Sequence, residues 1–102
     1  MKGKERAALR AEAHHLDATV HVGHQGLSPA LTSSLDDALR TRELVKVKLA
    51  KQAGVKAKDA ASELALATGA EVIQVIGRTV TLYRENDELK HKPGDLPPWR
   101  RK

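Results

Sequence analysis

The stretch that most constrains the fold is residues 19–29, in which a short strand, a turn and a helix start follow one another directly. Its first four residues alternate β-branched with other residues, as strands do. Gly23 and Gly26 can adopt backbone conformations that other residues rarely take, and we expect a positive φ at Gly23, where the strand ends. Ser28 before Pro29 signals a helix, because serine caps unpaired N–H groups and proline suits the first helical turn.

The same turn is a candidate anion site. A helix N-terminus offers unpaired N–H groups and the positive end of the helix dipole, and both favour phosphate. Gly23 and Gly26 lack Cβ atoms and let a nucleic-acid backbone come close, while His24, Gln25 and Ser28 supply donors. The alternative is that Gly-x-x-Gly connects strand to helix for steric reasons only, and the motif by itself does not separate the two.

Helical and strand patterns alternate along the chain as far as residue 84. Helical spacing predicts helices over residues 5–16, 29–41 and 56–68. Alternation and β-branched runs predict strands over 19–22, 43–49, 71–76 and 79–84, with Gly77-Arg78 as a type II′ hairpin turn between the last two. The order α-β-α-β-α-β-β predicts a small mixed four-stranded sheet in an α/β fold. Three parallel strands, an antiparallel fourth and three covering helices in two layers are expected.

Composition narrows the function. A length of 102 residues fits one domain, and the absence of cysteine removes disulfides, thiolate metal sites and cysteine nucleophiles. No apolar run follows the charged start, so we expect a cytoplasmic protein with neither signal peptide nor membrane span. The net charge of +5 favours nucleic acid as the partner. Because Tyr83 and Trp99 are the only Phe, Tyr or Trp residues, phosphate and sugar contacts should dominate over base stacking.

Five further cations are candidates for RNA contact. Arg6 and Arg10 form one row of the first helix, Lys46 and Lys48 share a strand face, and Arg78 lies at the hairpin tip. They form one positive surface only if the fold brings them to the same side. Solvated faces explain the arginines equally well, and lysines on an exposed strand also guard against edge pairing.

Neither metal binding nor catalysis is indicated. His14 and His15 are adjacent, so their side chains diverge on a helix and do not form a metal clip. Asp36 and Asp37 also point about 100° apart, and a solvated helix face explains both carboxylates. We therefore expect no enzyme, no cofactor and no small-molecule substrate.

The chain changes character after the last predicted strand. Residues 85–102 are polar and contain three prolines, which predicts a flexible tail behind a domain of residues 1–84. The tail ends in Trp99 followed by three cations, which would suit nucleic-acid contact, although an idle basic end is equally common.

Several segments together resemble the CRM domain (chloroplast RNA splicing and ribosome maturation), in the form found in single-domain bacterial YhbY-like proteins. The resemblance covers residues 5–84. It is carried by residues 9–16, 22–27, 38–48 and 68–84, including Val22-Gly23-His24-Gln25-Gly26-Leu27 and Val75-Ile76-Gly77-Arg78. Four segments in the right order are far more specific than one GxxG motif.

The resemblance implies an RNA-binding fold similar to the C-terminal domain of translation initiation factor three. The RNA-contacting role of the GxxG loop falls on Gly23, His24, Gln25 and Gly26. Stand-alone bacterial members are associated with precursors of the large ribosomal subunit, and plant relatives with several copies assist group II intron splicing. With one copy and no transit peptide, the bacterial role is expected, with ribosomal RNA as partner and a monomeric protein.

Two positions depart from the family pattern. His24 stands where lysine is common, so one phosphate contact becomes conditional on protonation, and Arg42 stands where many members have histidine, which restores some positive charge. Two alternatives stay open: a protein-interaction module on the ribosome, and a factor for another structured RNA such as an intron. Salt separates RNA from protein partners, because phosphate contacts make affinity salt-dependent.

Overall fold

The computed structural model describes residues 3–86, which form three α-helices, four strands and one 3₁₀ turn. In chain order these are α1 (Gly3–Ala13), β1 (Val20–Val22), α2 (Pro29–Arg42), β2 (Leu44–Leu49), the 3₁₀ turn Lys51–Ala53, α3 (Ala57–Thr68), β3 (Glu71–Ile76) and β4 (Thr79–Tyr83). The predicted element order is confirmed, with boundaries moved by at most three residues and those of β3 unchanged. The predicted tail lies outside the described residues from residue 87 onward.

The four strands form one mixed sheet in the order β1-β2-β4-β3. β1 is parallel to β2, and β4 is antiparallel to both of its neighbours, so β1, β2 and β3 run in one direction as predicted. A two-residue turn joins β3 to β4. Gly77 has φ +56° and Arg78 has no positive φ, which matches the predicted type II′ turn.

Helices cover both faces of the sheet. α2 and α3 pack on one face through a core in which the paired residues Val20, Val47 and Val80 lie side by side across three strands. On the other face α1 buries Leu9 and Ala13 against strand residues. The molecule therefore has three layers, and the prediction of two layers was wrong.

The inner strands β2 and β4 contain consecutive apolar residues, and for this reason the second face of the sheet must also be covered, here by α1. Successive side chains of a strand point to opposite faces. Leu44 and Tyr83 contact α1, whereas their neighbours Val45 and Leu82 belong to the core under α2 and α3. A strand with apolar side chains on both faces is stable only when both faces are covered.

Lys46 explains why α1 ends at Ala13, three residues earlier than predicted. Its Nζ donates to the carbonyl oxygens of Ala13 at 3.2 Å and Leu16 at 3.1 Å. The final carbonyls of a helix lack partners within the helix. A lysine from a neighbouring strand here binds the carbonyl of the last helical residue, Ala13, and that of Leu16 in the chain that follows. The half-buried Lys46 side chain is thus a fixed part of the packing of α1 on the sheet.

Arg84 holds the end of the sheet at which β2 and β3 begin and β4 ends. Its Nη1 donates to Asp36 Oδ1 at 2.6 Å and to the carbonyl oxygen of Thr68 at 2.7 Å, joining α2, α3 and the chain after β4. The hydrogen bond from Arg84, followed by its charge, lowers the pKa of Asp36 below the ordinary value of 3.8. Asp36 keeps half of its side-chain surface in solvent, so the structure adds an ion pair with Arg84 to the predicted solvated helix face, and the exposed Asp37 pairs with Arg40 at 2.8 Å.

Glu43 separates α2 from β2. It has φ +66° and donates its N–H to the carbonyl oxygen of Leu39, so it ends the helix and the strand begins one residue later than predicted. Its buried carboxylate accepts the N–H of Asn86 at 2.6 Å, which fixes the chain after β4 at this end of the sheet.

Candidate nucleic-acid interface

The two-glycine loop, residues 23–26, is a β-turn. The N–H of Gly26 donates to the carbonyl oxygen of Gly23 at 3.0 Å, with the exposed His24 and Gln25 between them. The hydrogen bond that closes a β-turn uses neither central N–H, so these two amides are available at the tip. Gly26 has φ +67°, whereas Gly23 does not have the predicted positive φ. His24 and Gln25 reverse the chain with ordinary φ values, and the left-handed residue is needed only where the chain leaves the turn.

The two glycines have different surroundings. A Cβ on Gly26 would stand 3.2 Å from the carbonyl oxygen of Ala53, so the loop rests directly on the 3₁₀ turn Lys51–Ala53. A Cβ on Gly23 would meet nothing within 4 Å. Gly26 is thus required by the fold, and Gly23 leaves open space on the outer side of the loop.

The start of α2 follows the loop immediately. Ser28 Oγ accepts the N–H of Leu31 at 3.1 Å and Pro29 occupies the first turn, which confirms the predicted cap. The cap uses the N–H of Leu31, and Pro29 has none, so within residues 28–31 the amide of Ala30 is the one left for a ligand. The Ser28 hydroxyl still has its own proton to donate.

An open groove of about 280 Å³ runs between the loop and the first turns of α2. All five predicted loop residues line it, and β1 and α2 add four more. The lining residues are Gly23, His24, Gln25, Gly26 and Ser28, joined by His21, Ala30, Leu31 and Ser34.

Three chain segments meet at this end of the sheet, which we call the loop end. The N–H of Ala50, just after β2, donates to the carbonyl oxygen of Val22 at 2.9 Å. The N–H of Leu49 donates to the carbonyl oxygen of Arg78 in the β3–β4 turn at 2.8 Å. The two-glycine loop, the end of β2 and the hairpin tip are therefore neighbours.

Two of the five predicted cations, Lys48 and Arg78, are exposed at the loop end. The structure adds Lys51, which sequence reasoning missed. Lys51 is exposed in the 3₁₀ turn on which Gly26 rests. Its sequence signal was its position two residues after β2, since ligands of α/β sheets gather beyond the carboxyl ends of parallel strands.

Arg6 and Lys46 are not brought to the loop end. Arg6 donates to the carbonyl oxygen of Val72 at 2.6 Å and to Glu71 Oε2 at 3.3 Å, near the beginning of β3. Lys46 holds the end of α1, and the half-buried Arg10 follows Arg6 by one helical turn. The fold therefore does not bring all five cations together at the loop end, and the condition for a single surface there is not met.

Arg42 does not compensate for His24. His24 precedes α2 and Arg42 is its last residue, and at 1.5 Å per residue the helix is about 20 Å long. The expectation that Arg42 restores charge lost at His24 was therefore wrong for the loop itself.

The segments that build the loop end contain no acidic residue. Residues 18–35, 44–58 and 72–84 hold neither aspartate nor glutamate. Glu43 and Glu71 adjoin the starts of β2 and β3 at the opposite end of the sheet, and Asp59 lies in the first turn of α3. This distribution makes the loop end the positive end of the sheet.

The fold and this site define a class of small α/β domains that present a glycine-containing loop, a helix start and exposed cations at one end of a mixed sheet. The chain belongs to the CRS1/YhbY (CRM) domain family, whose model matches residues 1–84. The predicted family membership is confirmed.

Individual relatives agree with this assignment. The chain is 33% identical over 90 residues to a Bacillus subtilis protein named probable RNA-binding protein YqeI, covering 88% of this chain and 94% of the relative. A Methanocaldococcus jannaschii protein named probable RNA-binding protein MJ0652 is 39% identical, with 88% and 68% covered. The solution structure of SAV1595 from Staphylococcus aureus matches with a TM-score of 0.74 at 35% identity, covering 88% of this chain and 94% of that one.

Proposed function

We propose that this protein binds RNA at the loop end and acts without catalysis, as a cytoplasmic monomer. The observation that carries the proposal is the meeting of the two-glycine loop, the start of α2 and three exposed cations at an end built from segments without acidic residues. The names of the Bacillus and Methanocaldococcus relatives point to the same ligand.

The proposed mechanism is contact with the RNA backbone. The amides of His24, Gln25 and Ala30 donate to phosphate oxygens, and the open side of Gly23 lets the RNA strand approach. Lys48, Lys51 and Arg78 attract the RNA over a longer range. Contacts of this kind fix position without reading bases, so little sequence preference is expected.

We place this activity in the assembly of the large ribosomal subunit, with precursor ribosomal RNA as the ligand. The support is the likeness to the stand-alone bacterial members of the family. Neither Asp36 nor Asp37 supports a competing catalytic function, because each carboxylate is paired with its own arginine.

Sedimentation of tagged protein through a sucrose gradient at low and raised salt tests the assembly role. Migration with large-subunit precursors, lost at raised salt, is expected. Three or four phosphate contacts on a single strand give a log-log salt slope of roughly −2 to −3. If the protein migrated with the ribosome equally at low and raised salt, its partner would be a protein and not RNA. If the co-migrating RNA were not ribosomal, the ribosomal assignment would be overturned but RNA binding would stand.

A further inference from the structure

The strand register places one residue from each strand in a row across the loop end of the sheet. His21 pairs with Lys48, Lys48 pairs with Thr79, and Thr79 pairs with Ile76. Directly paired residues point to the same face of a sheet. This outer row, defined as His21, Lys48, Thr79 and Ile76, lies on the face that carries α1.

α1 does not cover the outer row. It packs at the other end of this face, on Leu44, Ile73 and Tyr83, and its last residue, Ala13, is held by Lys46, two residues before Lys48. His21 and Lys48 are exposed, and Ile76 keeps 58% of its surface in solvent. The loop end of this sheet face is therefore open at His21, Lys48 and Ile76.

The outer row continues the proposed RNA site. Only Val22 separates His21 from the two-glycine loop, and Thr79 directly follows Arg78 at the hairpin tip. Three inter-strand spacings give the row a length of roughly 14 Å. A strand of RNA leaving the loop thus has an adjoining flat surface that crosses the sheet.

The side chains of the row suit single-stranded RNA. Lysine pairs with phosphate, and a histidine ring stacks on an unpaired base. Ile76 offers an apolar contact for a base or ribose at the far edge. One exposed isoleucine is too little apolar surface for a stable protein interface, whereas the positive charge complements RNA.

We propose that the outer row is a second RNA-contacting surface, which takes a single-stranded segment running from the two-glycine loop across the sheet to Ile76. Lys48 pairs with a phosphate, His21 stacks on a base, and Ile76 packs against the last base or ribose. This inference rests on the proposed function and extends its site from one loop to a track.

The test uses fluorescence anisotropy with labelled oligouridylates of about 4 and about 12 nucleotides, within the range of single-strand site sizes. The variants are Lys48→Gln and Ile76→Ala. Lys58→Gln and Leu66→Ala on α3 are matched controls, since both parent side chains are exposed and Leu66 keeps 88% of its surface in solvent. Gly23→Leu reports on the loop independently.

The wild type is expected to gain affinity with the longer oligonucleotide, and both row variants to lose most of that gain while the controls keep it. Lys48→Gln should also reduce the salt slope by about 0.7. A gain retained by both row variants, or absent from the wild type, would overturn the track. Unchanged affinity of Gly23→Leu for both lengths would instead count against the loop, whatever the row variants show.

Discussion

The backbones of Gly26 and Ala53 approach so closely that a Cβ on Gly26 would stand 3.2 Å from the carbonyl oxygen of Ala53. The contact joins the two-glycine loop to the turn that carries Lys51. The position of the proposed RNA site is therefore set by the same packing that stabilises the fold.

Gly26→Ala is expected to destabilise the protein by about 1–2 kcal/mol or more, because the new Cβ meets strain at positive φ as well as the Ala53 carbonyl. Urea denaturation measures the loss. Gly69→Ala is the control, because Gly69 has φ +74° with no atom within 4 Å of a new Cβ. A loss for Gly26→Ala no greater than that for Gly69→Ala would show that the Ala53 contact is unimportant.

Asp36→Asn is expected to lower the melting temperature at neutral pH, because it removes the ion pair with Arg84. The folded protein holds the pKa of Asp36 below 3.8, so the stabilisation is present above that pH and is lost as pH falls through the lower, folded-state pKa. Melting curves of variant and wild type should therefore converge in acid. Asp37→Asn, which removes an exposed pair, should change little; equal effects of the two substitutions would contradict this account.

Lys46 and Lys48 are predicted to have opposite roles although they occupy the same strand face. Lys46→Met should reduce the free energy of unfolding by about 1 kcal/mol, because the carbonyl oxygens of Ala13 and Leu16 lose their hydrogen bonds from Lys46, and should leave RNA affinity unchanged. Lys48→Gln should weaken RNA binding and leave stability unchanged. Denaturation and anisotropy on both variants check this, and a loss of affinity in a stably folded Lys46→Met would return Lys46 to the RNA surface.

His24→Lys is expected to strengthen RNA binding, because it places a lysine, which pairs with phosphate, at the exposed tip of the two-glycine loop. Anisotropy titrations of variant and wild type with the same labelled RNA measure the gain, and the salt slope should steepen by about 0.7. Unchanged affinity and salt slope in His24→Lys would show that this position does not face the RNA.

Local sequence patterns predicted most of the fold. Helical spacing, β-branched runs, the Ser28 cap and the Gly77-Arg78 turn each act over a few residues, so the element order could be derived before the packing was known. The number of layers could not be derived in this way. The number of layers depends on whether α1 packs against Leu44 and Tyr83. That contact joins residues far apart in the chain.

The candidate site was predicted less completely. The loop residues could be identified because glycine, serine and proline signal their own backbone roles. The cations could not, because Lys46 and Lys48 have the same periodicity and differ only in whether α1 reaches them. Lys51 was missed for a related reason, since its place beside the loop follows from the approach of Gly26 to Ala53.

The central claim is that RNA approaches the open side of the two-glycine loop, and Gly23→Leu tests it most directly. Gly23 lacks a positive φ and has open space around its missing Cβ, so the substitution should leave the fold intact while blocking the RNA strand. Gly3→Leu is the matched control, since Gly3 also lacks a positive φ and has open space, at the start of α1. In anisotropy titrations with labelled RNA, we expect Gly23→Leu to lose at least about tenfold in affinity, equivalent to 1.4 kcal/mol, and Gly3→Leu to bind as the wild type does. Equal binding by a folded Gly23→Leu and the wild type would contradict the account.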